Sequence, residues 1–282
     1  MAARHATQMD AAMIALSRRA FVASSVALAA LSAAPVAAAQ RATLIDRRWA
    51  RFGNAGDPDH GAWDGILRRH LTLGQDGIAR FNYRGADLTR VSAYVASLQA
   101  VDPATLNSNA AYAYWVNLYN AQTVKVVMEN YPVRSIRDIG GGVFARGPWR
   151  DKAVTVAGQA LSLDDIEHGI LRPVWRDPRV HYAVNCASLG CPNLAPRAFT
   201  AGRLAQMLED GARTYINHPR GARIANGRLI VSSIYNWFRE DFGGSDAGVL
   251  AHLRSYAVPP IAGQLTAIDR ISDHGYDWSL NG

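Results

Sequence analysis

Apolar residues recur at helical spacing through most of this chain, and alternate strand-like in only a few short runs. Two amphipathic stretches come first, at about 43–52 and 60–73, the second with Trp63, Ile66, Leu67 and Leu71 in register. "IARFNY" reads as a short strand after the turn Gln75-Asp76-Gly77. "ADLTRVSAYVASLQAV" predicts a helix with Leu88, Val91, Tyr94, Val95 and Leu98 on one side, closed by Asp102-Pro103. The longest helix follows, from Ser108 to the stop at Pro132. It is apolar almost all round, which predicts a central, buried position.

Beyond a glycine-rich loop, "KAVTVAG" reads as a strand. "LSLDDIEHGILRP" predicts a helix capped by Ser162 with Asp165 three residues on. "RVHYAVN" reads as a β-rich run, and a helix is expected from about 200 to 217. "ARIANGRLIV" is a hairpin turning at Asn226-Gly227. Short helices around "NWFREDF" and "DAGVLAHLRSY" close the pattern, and the last twenty residues form a mixed tail. The order predicts a single α+β domain, a small mixed or antiparallel sheet packed on a buried central helix.

The first 39 residues read as an address rather than as part of that domain. Ser17-Arg18-Arg19-Ala20-Phe21-Val22 has the twin-arginine pattern, and an alanine-rich apolar run ends in Ala37-Ala38-Ala39 before Gln40. The expected mature chain, 40–282, has 243 residues and a net charge of +5, from 27 basic and 22 acidic side chains. The expected location is periplasmic or secreted. Nearly all the positive charge is scattered arginine, with no basic run, so nucleic acid is not an expected partner. No segment after the leader reaches the length of a membrane span.

Candidate chemistry gathers in four places. Asn117 and Asn120 share a face of the long helix, where a buried amide needs partners; they either tie down a neighbouring loop or line a cleft. Glu167 and His168 sit together, and a carboxylate beside an imidazole fixes its tautomer and raises its pKa. His181 and Asn185 fall on one face of the expected strand, which points Cys186 the other way and leaves His168 as the freer base. Both cysteines, Cys186 and Cys191, lie in "NCASLGCPN" with Ser188 and Gly190 between them. That loop is open to a nucleophile, a metal site or a disulfide. Metal is the weakest of the three, because the spacing of His181, Cys186 and Cys191 matches no familiar ligand pattern. A disulfide here closes so small a loop that it stabilises by only about 2 kcal/mol. A nucleophile needs a thiolate, a base and an oxyanion site.

"AYWVNLYNAQTV", "PVRSIRDI", "LSLDDIEHGILRP", "DPRVHYAVNCASLGCPNL" and "IYNWFREDFG", in this order over about 63–256, resemble the family named domain of unknown function 547. The resemblance implies that Cys186 is shared with cytosolic relatives, whereas Cys191 marks the bacterial form, so that a disulfide is not the family-wide reason for Cys186. The pattern is also loosely similar, at fold level, to a papain or transglutaminase core.

Two functions are therefore expected. One is a cell-envelope module that binds a small ligand or peptide through His181, Asn185 and Ser188, with Cys186 and Cys191 disulfide-bonded. The other is a thiol-dependent hydrolase or acyltransferase. Cys186 is then the nucleophile, His168 the base, Glu167 its orienter, and Asn117, Asn120 or backbone N–H groups near Ser188 the oxyanion donors. Neither needs a cofactor or a metal.

Overall fold

The structure is a computed structural model that describes residues 41–140 and 147–282. The expected export signal and part of the glycine-rich loop lie outside the described residues.

The fold is organised around one helix, α3 (Ser108–Glu129). Asn107 starts it by accepting from the Ala110 N–H, and every residue from Ala110 to Val124 is buried. A helix buried on all sides needs partners on all sides. They are α2 (Leu88–Gln99), α4 (Leu163–Ile166), the helical turn that follows α4, and α7 (Leu204–Ile216). The expected apolar faces are the ones used. Trp63, Ile66 and Leu67 are buried on α1 (Gly61–His70), and Val91, Tyr94, Val95 and Leu98 on α2.

Among the described residues the strands are short and form three separate sheets. β1 (Leu71–Leu73) pairs with β2 (Ala79–Phe81), and β3 (Val154–Val156) with β4 (Gln159–Leu161), both antiparallel. β5 (Ala222–Ala225) and β6 (Arg228–Ser232) form the expected hairpin. Its turn residues Asn226 and Gly227 both have positive φ, 52° and 70°, as a two-residue turn between twisted strands requires. β7 (Asp273–Gly275), from the mixed tail, adds in parallel to β6. The α+β class is as expected. The largest sheet, however, packs in a second apolar cluster with α7 and α9 (Asp246–Tyr256), while α3 is wrapped mainly by helices.

Two local departures shape the site. The helix begun by the Ser162–Asp165 capping box does not stay α-helical; Glu167–Leu171 is a π turn, continued by α5 (Arg172–Trp175). A π turn in a helix often marks a functional position. Here the carbonyls of His168 and Gly169 accept from the N–H groups of Thr43 and Ile45, so the incoming chain is laced onto the turn. Gly169 permits that contact, since a Cβ there would lie 2.7 Å from Ile45. Second, "RVHYAVN" is not a strand. Val180–Ala183 forms a single helical turn, α6, and the chain becomes extended only at Val184. Local β-propensity loses to tertiary contacts here, because His181 is drawn into a buried ion cluster.

Asn117 and Asn120 explain how a buried helix tolerates two amides. Asn117 donates from Nδ2 to the Phe199 carbonyl (2.8 Å) and accepts on Oδ1 from the Phe199 N–H (3.0 Å). Asn120 donates to the Ala183 carbonyl (2.9 Å) and accepts from the Asn185 N–H (2.8 Å). Each amide acts as one rung of a sheet ladder for a segment that has no strand partner. Asn117→Ala leaves both polar groups of Phe199 buried and unpaired, and should cost about 3 kcal/mol of unfolding free energy in a urea titration. An effect under about 1 kcal/mol would mean that water replaces the clamp.

Candidate functional site

Asn185 organises the cysteine loop. Its backbone is held by Asn120, its Nδ2 donates to the Pro192 carbonyl (2.7 Å), and its Oδ1 accepts from the Ala187 N–H (2.9 Å). These bonds close the loop tightly enough to put Ala187 at φ 60°. The C-terminal tail then lies along the loop. Leu189 N–H donates to Ser279, Gly190 N–H to Asp277, and Asn281 N–H to Ala187. Gly190 is required by this approach, since a Cβ would come within 2.7 Å of the Asp277 nitrogen.

The tail brings Tyr276 onto Cys186. The half-buried Cys186 sulfur lies 3.0 Å from the Tyr276 hydroxyl, 3.3 Å from Ser188 Oγ and 3.2 Å from the sulfur of buried Cys191. The Cys186 N–H also donates to Cys191 Sγ (3.1 Å). Both cysteines are thiols in this structure. The contact with Cys191, joined by the Ser188 and Tyr276 hydroxyls, lowers the Cys186 pKa against the effect of burial and of the Glu167 charge. Burial, and the proximity of Cys186, push the Cys191 thiol well above its ordinary value. The outer sulfur is thus the more readily ionised and the inner one is kept protonated.

A second constellation forms around the π turn. Arg172 and Asp241 make a paired contact, Nε to Oδ2 at 2.6 Å and NH2 to Oδ1 at 3.1 Å, with Arg172 almost fully buried. Asp241 also accepts from His181 Nε2 (2.7 Å), and His181 Nδ1 lies 3.6 Å from Glu167. The His181 ring stacks on Phe238 with centroids 4.2 Å apart. His168 Nδ1 faces Arg172 NH1 at 3.1 Å. A guanidinium can only donate, so Nδ1 is the acceptor and the neutral ring carries its proton on Nε2, toward Asp164 at 3.8 Å. Burial keeps His168 below its ordinary pKa in spite of Glu167.

Aromatic rings join the two constellations. Phe238 touches His168 as well as His181. Its neighbour Trp237 packs on Tyr276 (4.8 Å) and Trp278 (5.5 Å), and Trp278 meets Trp149, whose carbonyl accepts from the Asp164 N–H. The half-buried rings of Trp149, Trp237, Tyr276 and Trp278 therefore form a rim running from the His168 side to Cys186.

The structure brings Glu167, His168 and His181 together, and separately Asn185, Cys186, Ser188 and Cys191. It does not join His168 to Cys186. Among the described residues, the hydrogen-bonding partners of the Cys186 sulfur are Cys191, Ser188 and Tyr276, none of them an imidazole. Glu167 approaches His168 Nδ1 only to 3.9 Å, and Arg172 holds that atom instead. Asn117 and Asn120 hold backbone groups, Asn117 also meeting His60 Nε2 at 3.2 Å, and His181 and Asn185 are buried by their own partners. Ser188 is buried too, but its hydroxyl reaches Cys186. Tyr276, Asp241, Arg172 and the tryptophans were missed by the sequence reading. The one available signal was the density of aromatic residues in "YNWFREDF" and "YDW".

The arrangement defines a class: an α+β domain with a dithiol loop under an aromatic rim, backed by a buried ion cluster. Residues 103–216 match the family described as "Protein of unknown function, DUF547", which bears out the resemblance read from the sequence motifs. The matched span holds both asparagines, the π turn and both cysteines; Asp241, Phe238 and Tyr276 lie beyond it. No curated protein and no solved structure matches the chain.

Acid should destabilise the fold in two stages, the first at His252, whose Nε2 meets the Tyr182 hydroxyl (2.8 Å) outside the ion cluster, and the second at the cluster itself. Burial lowers His252 from 6.5 to about 4, so stability is full above pH 6.5 and falls as pH drops from there toward 4. Burial alone would raise Glu167 and Asp241. For Glu167 the electrostatic pull of His168, the hydrogen bond and charge of His181, and Arg172 bring the carboxyl to about 2. For Asp241 the hydrogen bonds from His181 and Arg172 do the same. Their contribution is present above about pH 4.5 and is lost as pH falls toward 2. In urea titrations across pH, Asp241→Asn should flatten the lower stage and leave the upper one. An unchanged slope below pH 4.5 would count against the cluster as its origin.

Proposed function

We infer that this protein is an exported envelope module that binds a small ligand or a peptide segment at the aromatic rim beside Cys186, and that Cys186 and Cys191 are a reversible dithiol–disulfide pair. The observation that carries the reading is the sulfur pair itself. One sulfur is half-exposed and easily ionised, the other is buried and held as thiol, and they lie 3.2 Å apart. The half-buried rings supply flat apolar area at low entropic cost, and the hydroxyls of Ser188 and Tyr276 supply polar contacts beside the sulfur.

The chemistry balances with a disulfide-bearing oxidant of the envelope. The Cys186 thiolate attacks one sulfur of that disulfide and expels the other as thiolate. Cys191 then displaces the mixed disulfide, its proton going to the departing thiol. Two protein thiols become one disulfide, and the oxidant leaves as a dithiol. The twin-arginine leader fits this order, because that route delivers a folded domain whose thiols meet the oxidant only after export.

A second reading, thiol-dependent acyl transfer or hydrolysis, is supported by the lowered Cys186 pKa and by His168 on the same rim. The lack of an imidazole on the sulfur and the protonated outer nitrogen of His168 place it second.

Intact mass after alkylation decides between them. Protein purified from the periplasm should take no adduct until reductant is added, and then two. Cys191→Ser should leave Cys186 free and labelled at pH 6 faster than a model thiol. Adducts on the wild type without reductant would remove the dithiol reading. Loss of an ester hydrolase activity in both Cys186→Ala and His168→Ala would install the second in its place.

A further inference from the structure

A cleft of about 490 Å³ opens between α1 and the loop that precedes α7. It shares no lining residue with the aromatic rim. Its walls carry three arginines, Arg68 from α1 and Arg197 and Arg203 from the loop, beside Asp64 and Pro196. All three arginines are exposed, and among the described residues none of their side chains makes a hydrogen bond or an ion pair.

The obvious partner is taken. Asp64 stands one helical turn before Arg68, but its carboxylate accepts the Ala198 N–H at 2.6 Å. The loop is gripped at two further points. Asn117 accepts from the Phe199 N–H, and Asp57 from the Ala201 N–H (2.8 Å). Three side chains from elsewhere thus fix the loop, and the arginines take no part in doing so. Three arginines lining one cleft without an ion-pair partner among the described residues give it a positive potential that a bound anion would meet.

We propose that this cleft binds a phosphomonoester dianion. Three guanidiniums and one carboxylate leave two positive charges, which matches a phosphate ester near neutral pH. Guanidinium forks are suited to phosphate oxygens, and a volume of this size takes a small organic phosphate rather than the bare ion alone. The group reaches the cleft either on a soluble metabolite or on a lipid headgroup.

Calorimetry on the full chain at constant ionic strength tests this with glycerol 3-phosphate, with nitrate as a monovalent control. One saturating site is expected for the phosphate and none for nitrate. Arg68→Ala, Arg197→Ala and Arg203→Ala should each weaken binding about tenfold or more. Arg223→Ala, which removes an exposed arginine outside the cleft, should leave it unchanged. Sedimentation with phosphatidylcholine vesicles containing phosphatidic acid separates the sources. Retention that disappears in the arginine variants assigns the lipid headgroup, and no retention with intact binding of glycerol 3-phosphate assigns the soluble ester. If neither probe binds below about 10 mM, or if the three arginine variants bind like the wild type, the proposal is overturned.

Discussion

Two amides on a buried helix hold the rest of the molecule in place. Asn117 and Asn120 lie on one face of α3, and each binds the backbone of a chain segment that has no other ladder. Peptide groups brought next to an apolar helix need partners there, since water is excluded. The two asparagines meet that need, one for the loop that carries Arg197 and Arg203 and one for the approach to the cysteines. Both candidate sites are therefore suspended from the same helical face.

The ion cluster is the counterpart of that arrangement on another side of α3. Burying Arg172 is costly unless every donor is satisfied, and the paired contact with Asp241 provides the main compensation. His181 is fixed by Asp241 and by the face of Phe238, and His168 by Arg172. A histidine whose inner nitrogen accepts from arginine is locked in one tautomer, and its outer nitrogen is a donor. The group is thus better suited to present a hydrogen-bond donor than to take a proton.

Helix periodicity made much of the fold legible. The apolar stripes of α1 and α2, the all-round burial of α3, the Ser162 cap and the Asn226-Gly227 turn all rest on local rules that tertiary contacts did not overrule. The reading of "RVHYAVN" as a strand failed because alternation in seven residues cannot foresee that His181 will be pulled toward Asp241, sixty residues later. The candidate site was half legible for the same reason. Residues within one motif, such as Asn185, Cys186, Ser188 and Cys191, were found together. Tyr276 could not be, because it reaches the sulfur through a tail with no periodicity, whose path is set by backbone bonds to residues 187–190.

That tail has a kinetic meaning. Its grip on the cysteine loop consists of main-chain bonds, the hydrogen bond from the Asn281 amide to Asn185, and the packing of Tyr276 and Trp278. A segment so attached can peel away at far lower free energy than global unfolding requires. Each such excursion strips the Cys186 sulfur of its phenol partner and uncovers that side of it, while α3 and the asparagine clamps stay intact. Exposure of the thiol is then coupled to local opening of this tail, and hydrogen-exchange protection at Leu189 and Gly190 measures how often it opens.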